Sequence, residues 1–207
     1  MSATEAKMAV DYGADAIGLV GKMPSGPGII PDPLIRHIAS TVPPPVATFL
    51  LTSETDAGEI IRHHERTLTS TIQLVDRVDA GIYDVIRQTL PAVKLVQVIH
   101  VLNERSVDHA LAVSGSVDAI LLDSGNPALK TKELGGTGRT HNWRLSRKIC
   151  EQVSRPVFLA GGITAANARE ALEAVEPFGL DLCSGIRTKG RLDRRKLDLF
   201  FQEVTVY

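Results

Sequence analysis

Ala119–Thr140 reads AILLDSGNPALKTKELGGTGRT. It opens with a continuous apolar run, too short for a helix and without the polar alternation of a half-exposed strand. Such a run fits a strand buried on both faces of a parallel sheet. It ends on an acid, Asp123. A polar loop follows, and then the small-residue cluster Gly135-Gly136-Thr137-Gly138. An acid at the C-terminal tip of a buried strand, beside a glycine-rich loop, is where a parallel α/β protein keeps its chemistry.

The same grammar runs outward in both directions. Apolar strands are expected at Ala16–Val20, Val46–Leu51, Thr71–Leu74, Lys94–Val101, Ala119–Asp123, Pro156–Ala160 and Leu180–Ser184. Between them lie helical patterns. Thr4 is read as the cap of a first helix through Tyr12, Ser53 as the cap of a helix from about Thr55 to His64, and Thr164 as the cap of one ending at Val175. The remaining helices are expected near residues 33–40, 82–90, 104–113, 145–153 and 192–204. Gly21–Pro33, rich in proline and glycine, is a loop. The pattern is that of one α/β domain spanning residues 1–207, a (β/α)₈ TIM-type barrel whose first strand is missing or replaced. An open doubly wound sheet is the competing architecture, but no glycine-rich turn follows the first strand.

Bulk composition narrows function by exclusion. Of 207 residues, 43% are hydrophobic and 23% charged, and the net charge is −1. That balance gives no electrostatic case for nucleic acid or an anionic membrane. No apolar run approaches the ~18–20 residues of a transmembrane helix, and no signal peptide is visible. Cys150 and Cys183 form neither a disulfide framework nor a metal-ligand pattern, so a reducing cytoplasm is the expected setting.

Chemistry-bearing residues gather at the strand ends. Phe158-Leu159-Ala160-Gly161-Gly162-Ile163 runs from a strand into bare glycines, and Leu182-Cys183-Ser184-Gly185-Ile186 repeats the arrangement. Glycines there let backbone N–H groups approach an anion, and a helix start adds a favourable dipole. The last two strands of a barrel are the usual seat of a phosphate. Asp123 is placed as a general acid or base, with pairing to Lys130 or Lys132 as the bland alternative. Asp181 and Cys183 alternate on the last expected strand and so share a face; Cys183 also suits a small core position. Asp76 and His100 are further rim residues without an assigned role. His63 and His64 are adjacent on one helix and point apart, so they are no ligand pair.

LLDS-x₁₀-GGTGRTHNW, FLAGGIT-x₂-N and DLCSG together resemble phosphoribosylanthranilate isomerase of tryptophan biosynthesis. Glu5–Gly18 resembles that family's first helix and second strand, and Ile72-Gln73-Leu74 its fourth strand. The resemblance implies an Amadori rearrangement, aminoaldose to aminoketose, with a small phosphorylated-sugar substrate, no cofactor and no metal. It implies Asp123 as general acid. Gly161, Gly162, Ser184 and Gly185 match the phosphate turns, Gly135, Gly136 and Gly138 the loop after the sixth strand, and Asn167 an asparagine at the seventh helix cap.

The departures from that family fall on the other half of its site. Met1-Ser2-Ala3-Thr4 aligns with the tail of the family's first-strand Lys-x-Cys-Gly motif, so strand one and its basic cysteine are absent from this chain. Ser25-Gly26-Pro27-Gly28 lacks the arginine that in the family holds the anthranilate carboxylate, and Arg187 stands where a glutamate is usual. Catalysis then requires a substitute base, Asp181 or Cys183. A misplaced start codon, a covering loop or a second copy of the chain, as a homodimer, are the expected remedies for the open barrel edge. The alternatives are a barrel acting on a different phosphorylated sugar and a non-catalytic phosphate-ligand-binding protein.

Overall fold

A computed structural model describes all residues except Ser25, Thr137, Val206 and Tyr207. Seven parallel strands follow one another in space in chain order: β1 (Ala16–Val20), β2 (Ala47–Thr52), β3 (Thr71–Leu74), β4 (Lys94–His100), β5 (Ala119–Asp123), β6 (Val157–Leu159) and β7 (Gly179–Leu180). Helices precede and separate them: α1 (Ala3–Asp11), α2 (Asp32–Thr41), α3 (Ala57–Thr67), α4 (Ala80–Thr89), α5 (Glu104–Ser114), α6 (Trp143–Gln152), α7 (Ala168–Val175) and α8 (Arg194–Thr205). A short antiparallel pair, β8 (Arg187–Thr188) with β9 (Arg191–Leu192), precedes α8. This is the curled parallel sheet of a (β/α)₈-type barrel with seven staves.

The strand alternation sorts the core into two layers. Ile120 and Leu122 of β5 join Ile72, Leu95, Ile99 and Leu159 under the helices, while Ala119 and Leu121 join Val96, Val98 and Phe158 in the lumen. Asp123 has the parity of Ala119 and Leu121, so its carboxyl comes up from the lumen at the strand's C-terminal end.

Helix starts are set by side chains other than those read from the sequence. Ser2, not Thr4, caps α1, in a reciprocal box with Glu5. Asp56, not Ser53, caps α3 and accepts from the Glu59 N–H. The helix expected from Thr164 begins at Ala168, because the Thr164 N–H and hydroxyl are both turned onto Asn167 Oδ1.

Among the described residues β1 pairs only with β2 and β7 only with β6, so the ring is open between them. Ala16 and Gly18 of β1 are exposed there, and Phe178, edge-on to Phe158 at 5.4 Å between ring centres, is 71% exposed. The two ends are joined through side chains instead. Glu5 of α1 accepts from the Leu192 N–H at 2.8 Å and from Arg187 Nη1 at 2.9 Å, and Tyr12 packs on Phe201. Those bonds hold the Glu5 carboxyl below its usual pKa against the desolvation that opposes them. No helix among the described residues is long and apolar enough to cross a membrane.

Candidate active site

Asp123 is 6% exposed, and its burial raises its pKa, opposed by the Ser124 N–H and by nearby His100. His100 ends β4 in register with Asp123. Its Nε2 faces the Val75 carbonyl oxygen at 3.0 Å, which requires the proton on that nitrogen. Gly135 lies directly on the acid: its φ is +137°, and a methyl group there would sit 2.9 Å from Asp123 Oδ2. The pairing of Asp123 with Lys132 entertained from the sequence does not form. Lys132 pairs with Asp76 at 2.5 Å, which gives that rim acid a partner.

The last stave is shorter than expected. β7 ends at Leu180, after which only the Asp181 N–H continues the ladder, to the Leu159 carbonyl at 2.9 Å. Leu180 and Leu182 pack into the outer core, so Asp181 between them projects the other way. Cys183 is exposed rather than a core residue, because the lumen is open on that side. Crowding about its sulfur and the Asp181 carboxylate raise the thiol pKa, with Arg187 opposing, so thiolate is scarce near neutral pH. Asp181 is exposed at the rim, with protein packed about its carboxyl. That enclosure, with the Asp123 charge, pushes its pKa up to about 6.

The two glycine turns build one cavity of about 350 Å³, lined by Gly138, Gly162, Thr164, Ser184, Gly185 and Lys196 among others. Gly161 and Gly162 have φ of +81° and +67°, and a methyl at Gly162 would meet the Arg139 backbone at 2.7 Å. Asn167 ties this turn down, its Nδ2 donating to the Gly162 carbonyl at 3.0 Å. A Cβ on Gly185 would collide with the Ile163 carbonyl oxygen, so the turns after β6 and β7 are packed backbone to backbone. Gly136, φ +66°, abuts Pro27, which brings the β1 loop onto the β5 loop. Thr137 lies outside the described residues.

Two residues here were not singled out from the sequence. Lys196, in α8, is the cation among the described residues lining the cavity, its Nζ donating to the Arg187 carbonyl; a lysine in the first turn of a charged helix carries no distinguishing signal. His141 is bonded through Nε2 to Ser146 Oγ at 2.7 Å, and its Nδ1 is beside Gly161. Burial lowers its pKa to about 4, so it stays neutral at neutral pH. His63 and His64 do point apart: His63 to Thr52 and Asp32, His64 to the Thr69 carbonyl.

Comparison with known proteins accords with this geometry. Residues 33–203 match the family model described as N-(5'-phosphoribosyl)anthranilate (PRA) isomerase. The N-(5'-phosphoribosyl)anthranilate isomerase of Methanocella arvoryzae is 34% identical over 195 residues, covering 94% of this chain and 89% of the relative. The phosphoribosyl anthranilate isomerase of Thermotoga maritima superposes with a TM-score of 0.81 at 25% identity, covering 100% of this chain and 96% of that one. A phosphoribosyl anthranilate isomerase in complex with reduced 1-(o-carboxyphenylamino)-1-deoxyribulose 5-phosphate has the same fold, with a TM-score of 0.78 at 24% identity, covering 100% of this chain and 95% of that one. By family model, sequence identity and fold, the chain belongs to the phosphoribosylanthranilate isomerase family of tryptophan biosynthesis.

Proposed function

We propose that this chain isomerises N-(5-phosphoribosyl)anthranilate, with Asp123 as general acid, Asp181 as general base, and the glycine cavity with Lys196 holding the 5-phosphate. The observation that carries the reading is the pair of carboxyls, Asp123 and Asp181, close enough for the charge of the first to act on the second, beside a cavity lined by the two glycine turns. Two carboxyls so close favour a state with one shared proton. The deeper Asp123 keeps it and the more open Asp181 ionises, which is the division of labour an acid and a base need.

The steps balance without an external oxidant. Asp123 gives its proton to the ring oxygen, and the C1′–O bond breaks as the nitrogen lone pair forms a Schiff base. Asp181 takes the C2′ proton, and its electron pair moves through C1′ to nitrogen, giving the enolamine. The enol hydroxyl then returns a proton to Asp123 while Asp181 delivers one to C1′, leaving the C2′ ketone and both groups reset. C2′ is oxidised and C1′ reduced within one molecule.

The pH profile tests the assignment of the base. Asp181 works only when ionised, so kcat/KM falls about tenfold per unit on the acid side of its raised pKa. It falls again at higher pH, as Asp123 loses its proton. Asp181→Asn removes the acidic limb and most of the activity, while Cys183→Ser leaves the profile unchanged. Full activity in Asp181→Asn, or its loss in Cys183→Ser, contradicts the assignment.

A further inference from the structure

Residues 187–196 read RTKGRLDRRK, six cations and one acid in a chain whose net charge is −1. The rest of the chain is therefore net negative, and the positive charge is concentrated here. The segment is a hairpin standing on the glycine cavity. Its outgoing arm, β8, follows Ser184 and Gly185 of the cavity wall, and its return arm, β9, leads through Asp193 to Lys196 of the same wall. Lys189 and Gly190 make the turn, with φ of +50° and +76°. The two feet are joined: the Asp193 N–H donates to the Ile186 carbonyl at 2.9 Å, and Lys196 Nζ donates to the Arg187 carbonyl. Asp193 is engaged within the hairpin and the helix start, accepting from Thr188 Oγ1 at 2.6 Å and from the Arg195 N–H at 3.0 Å.

Three of the cations stand free of this scaffold. Lys189, Arg191 and Arg195 are exposed and enter no ion pair among the described residues. Arg187 is tied to Glu5, and Arg194, four residues before Asp198, is turned with it towards Tyr12 of α1. Arg195 is four residues before Leu199, which lines the cavity, so those two share a face of α8. Lys189 is four residues from Gly185 and Arg191 five from Lys196, so their backbones lie within ~18 Å of the cavity wall. That is inside the Debye length of ~30 Å at 0.01 M salt and far outside the ~3 Å at 1 M. The substrate proposed above is anionic at both ends, with a 5-phosphate and an aryl carboxylate. We infer that Lys189, Arg191 and Arg195 form a steering surface, which draws this anion to the glycine cavity and makes no contact with it once bound. That role rests on the isomerase reading and adds to it the residues that set the rate of capture.

Fields of this kind raise association rates by about 10–10³-fold, and salt removes the gain. The test is stopped-flow association of the whole chain with reduced 1-(o-carboxyphenylamino)-1-deoxyribulose 5-phosphate, at ~0.01 M and ~1 M salt. The parent's association rate is expected to fall about tenfold between the two. The variant combines Lys189→Asn, Arg191→Gln and Arg195→Gln; asparagine suits the positive φ at position 189. At low salt it associates about tenfold more slowly than the parent, with the same dissociation rate and the same thermal melt. At high salt the two rates converge. A parent rate independent of salt, equal rates of the two proteins at low salt, or a difference that lies in dissociation overturns the inference and leaves the isomerase reading standing. No binding of the compound by the parent at either salt overturns both.

Discussion

Asp123→Asn is expected to lower kcat/KM by about 10²–10⁴-fold, the usual worth of a positioned general acid. The substitution is nearly isosteric. It keeps an acceptor for the Ser124 N–H and leaves Gly135 room to lie above the side chain. It takes away the acidic proton whose retention burial favours. The loss therefore falls on kcat rather than on KM, because the phosphate cavity is built from other residues. Steady-state kinetics with a thermal melt on the same preparation check both halves. A loss below tenfold in a folded variant removes Asp123 from the acid role.

Gly185→Ala is expected to raise KM by about 10–100-fold through the phosphate cavity. A Cβ there has no room beside the Ile163 carbonyl, so the turn after β7 must draw away from the turn after β6. Backbone donors displaced by ~1 Å lose most of their contribution to substrate binding and alignment. Gly190→Ala is the matched control. Its φ is also positive, at +76°, but nothing lies within 4 Å of the added methyl. It carries backbone strain of about 1 kcal/mol and no collision. Inhibition by inorganic phosphate should weaken in Gly185→Ala and stay unchanged in Gly190→Ala.

The parts of this molecule that can be read from its sequence are those whose physics is local. Ala119–Asp123 is legible as a strand because both of its faces are buried, which leaves no polar residue to interrupt it. The glycine turns are legible because no side chain fits where Gly162 and Gly185 meet neighbouring backbone. The helix starts were less so. Thr164 has the chemistry of a cap, but three residues on, Asn167 takes up its N–H and moves the start of α7 to Ala168. The last strand is shorter than its apolar pattern suggests, because a strand persists only where it has a neighbour. Beyond Asp181, β7 has none among the described residues. That same opening exposes Cys183 and leaves Asp181 at once accessible and enclosed. The Asp76–Lys132 pair spans 56 residues, and Lys196 reaches the glycine cavity from the last helix. Neither could be inferred from spacing, since only the curling of the sheet brings those residues together.

The open side also bears on mechanism. Arg187 and Glu5 are joined across the gap, beside Cys183. The arginine that departs from the family's pattern is therefore occupied in tying α1 to the C-terminal segment. Its guanidinium lowers the Cys183 thiol pKa only against the larger effect of crowding, to which the neighbouring Asp181 adds. For the proposed reaction, the Asp181 carboxyl, pushed up to about 6, suits the role of base better than the thiol, whose pKa is raised.

The most direct measurement is the conversion of N-(5-phosphoribosyl)anthranilate by the purified chain, with aminoaldose and aminoketose separated by chromatography over time. The predicted result is protein-dependent formation of the aminoketose that disappears in Asp123→Asn. No conversion above the rate without protein, in a folded chain that still binds phosphate, would contradict the account and leave the protein as a phosphate-ligand-binding barrel or an enzyme of a different phosphorylated sugar.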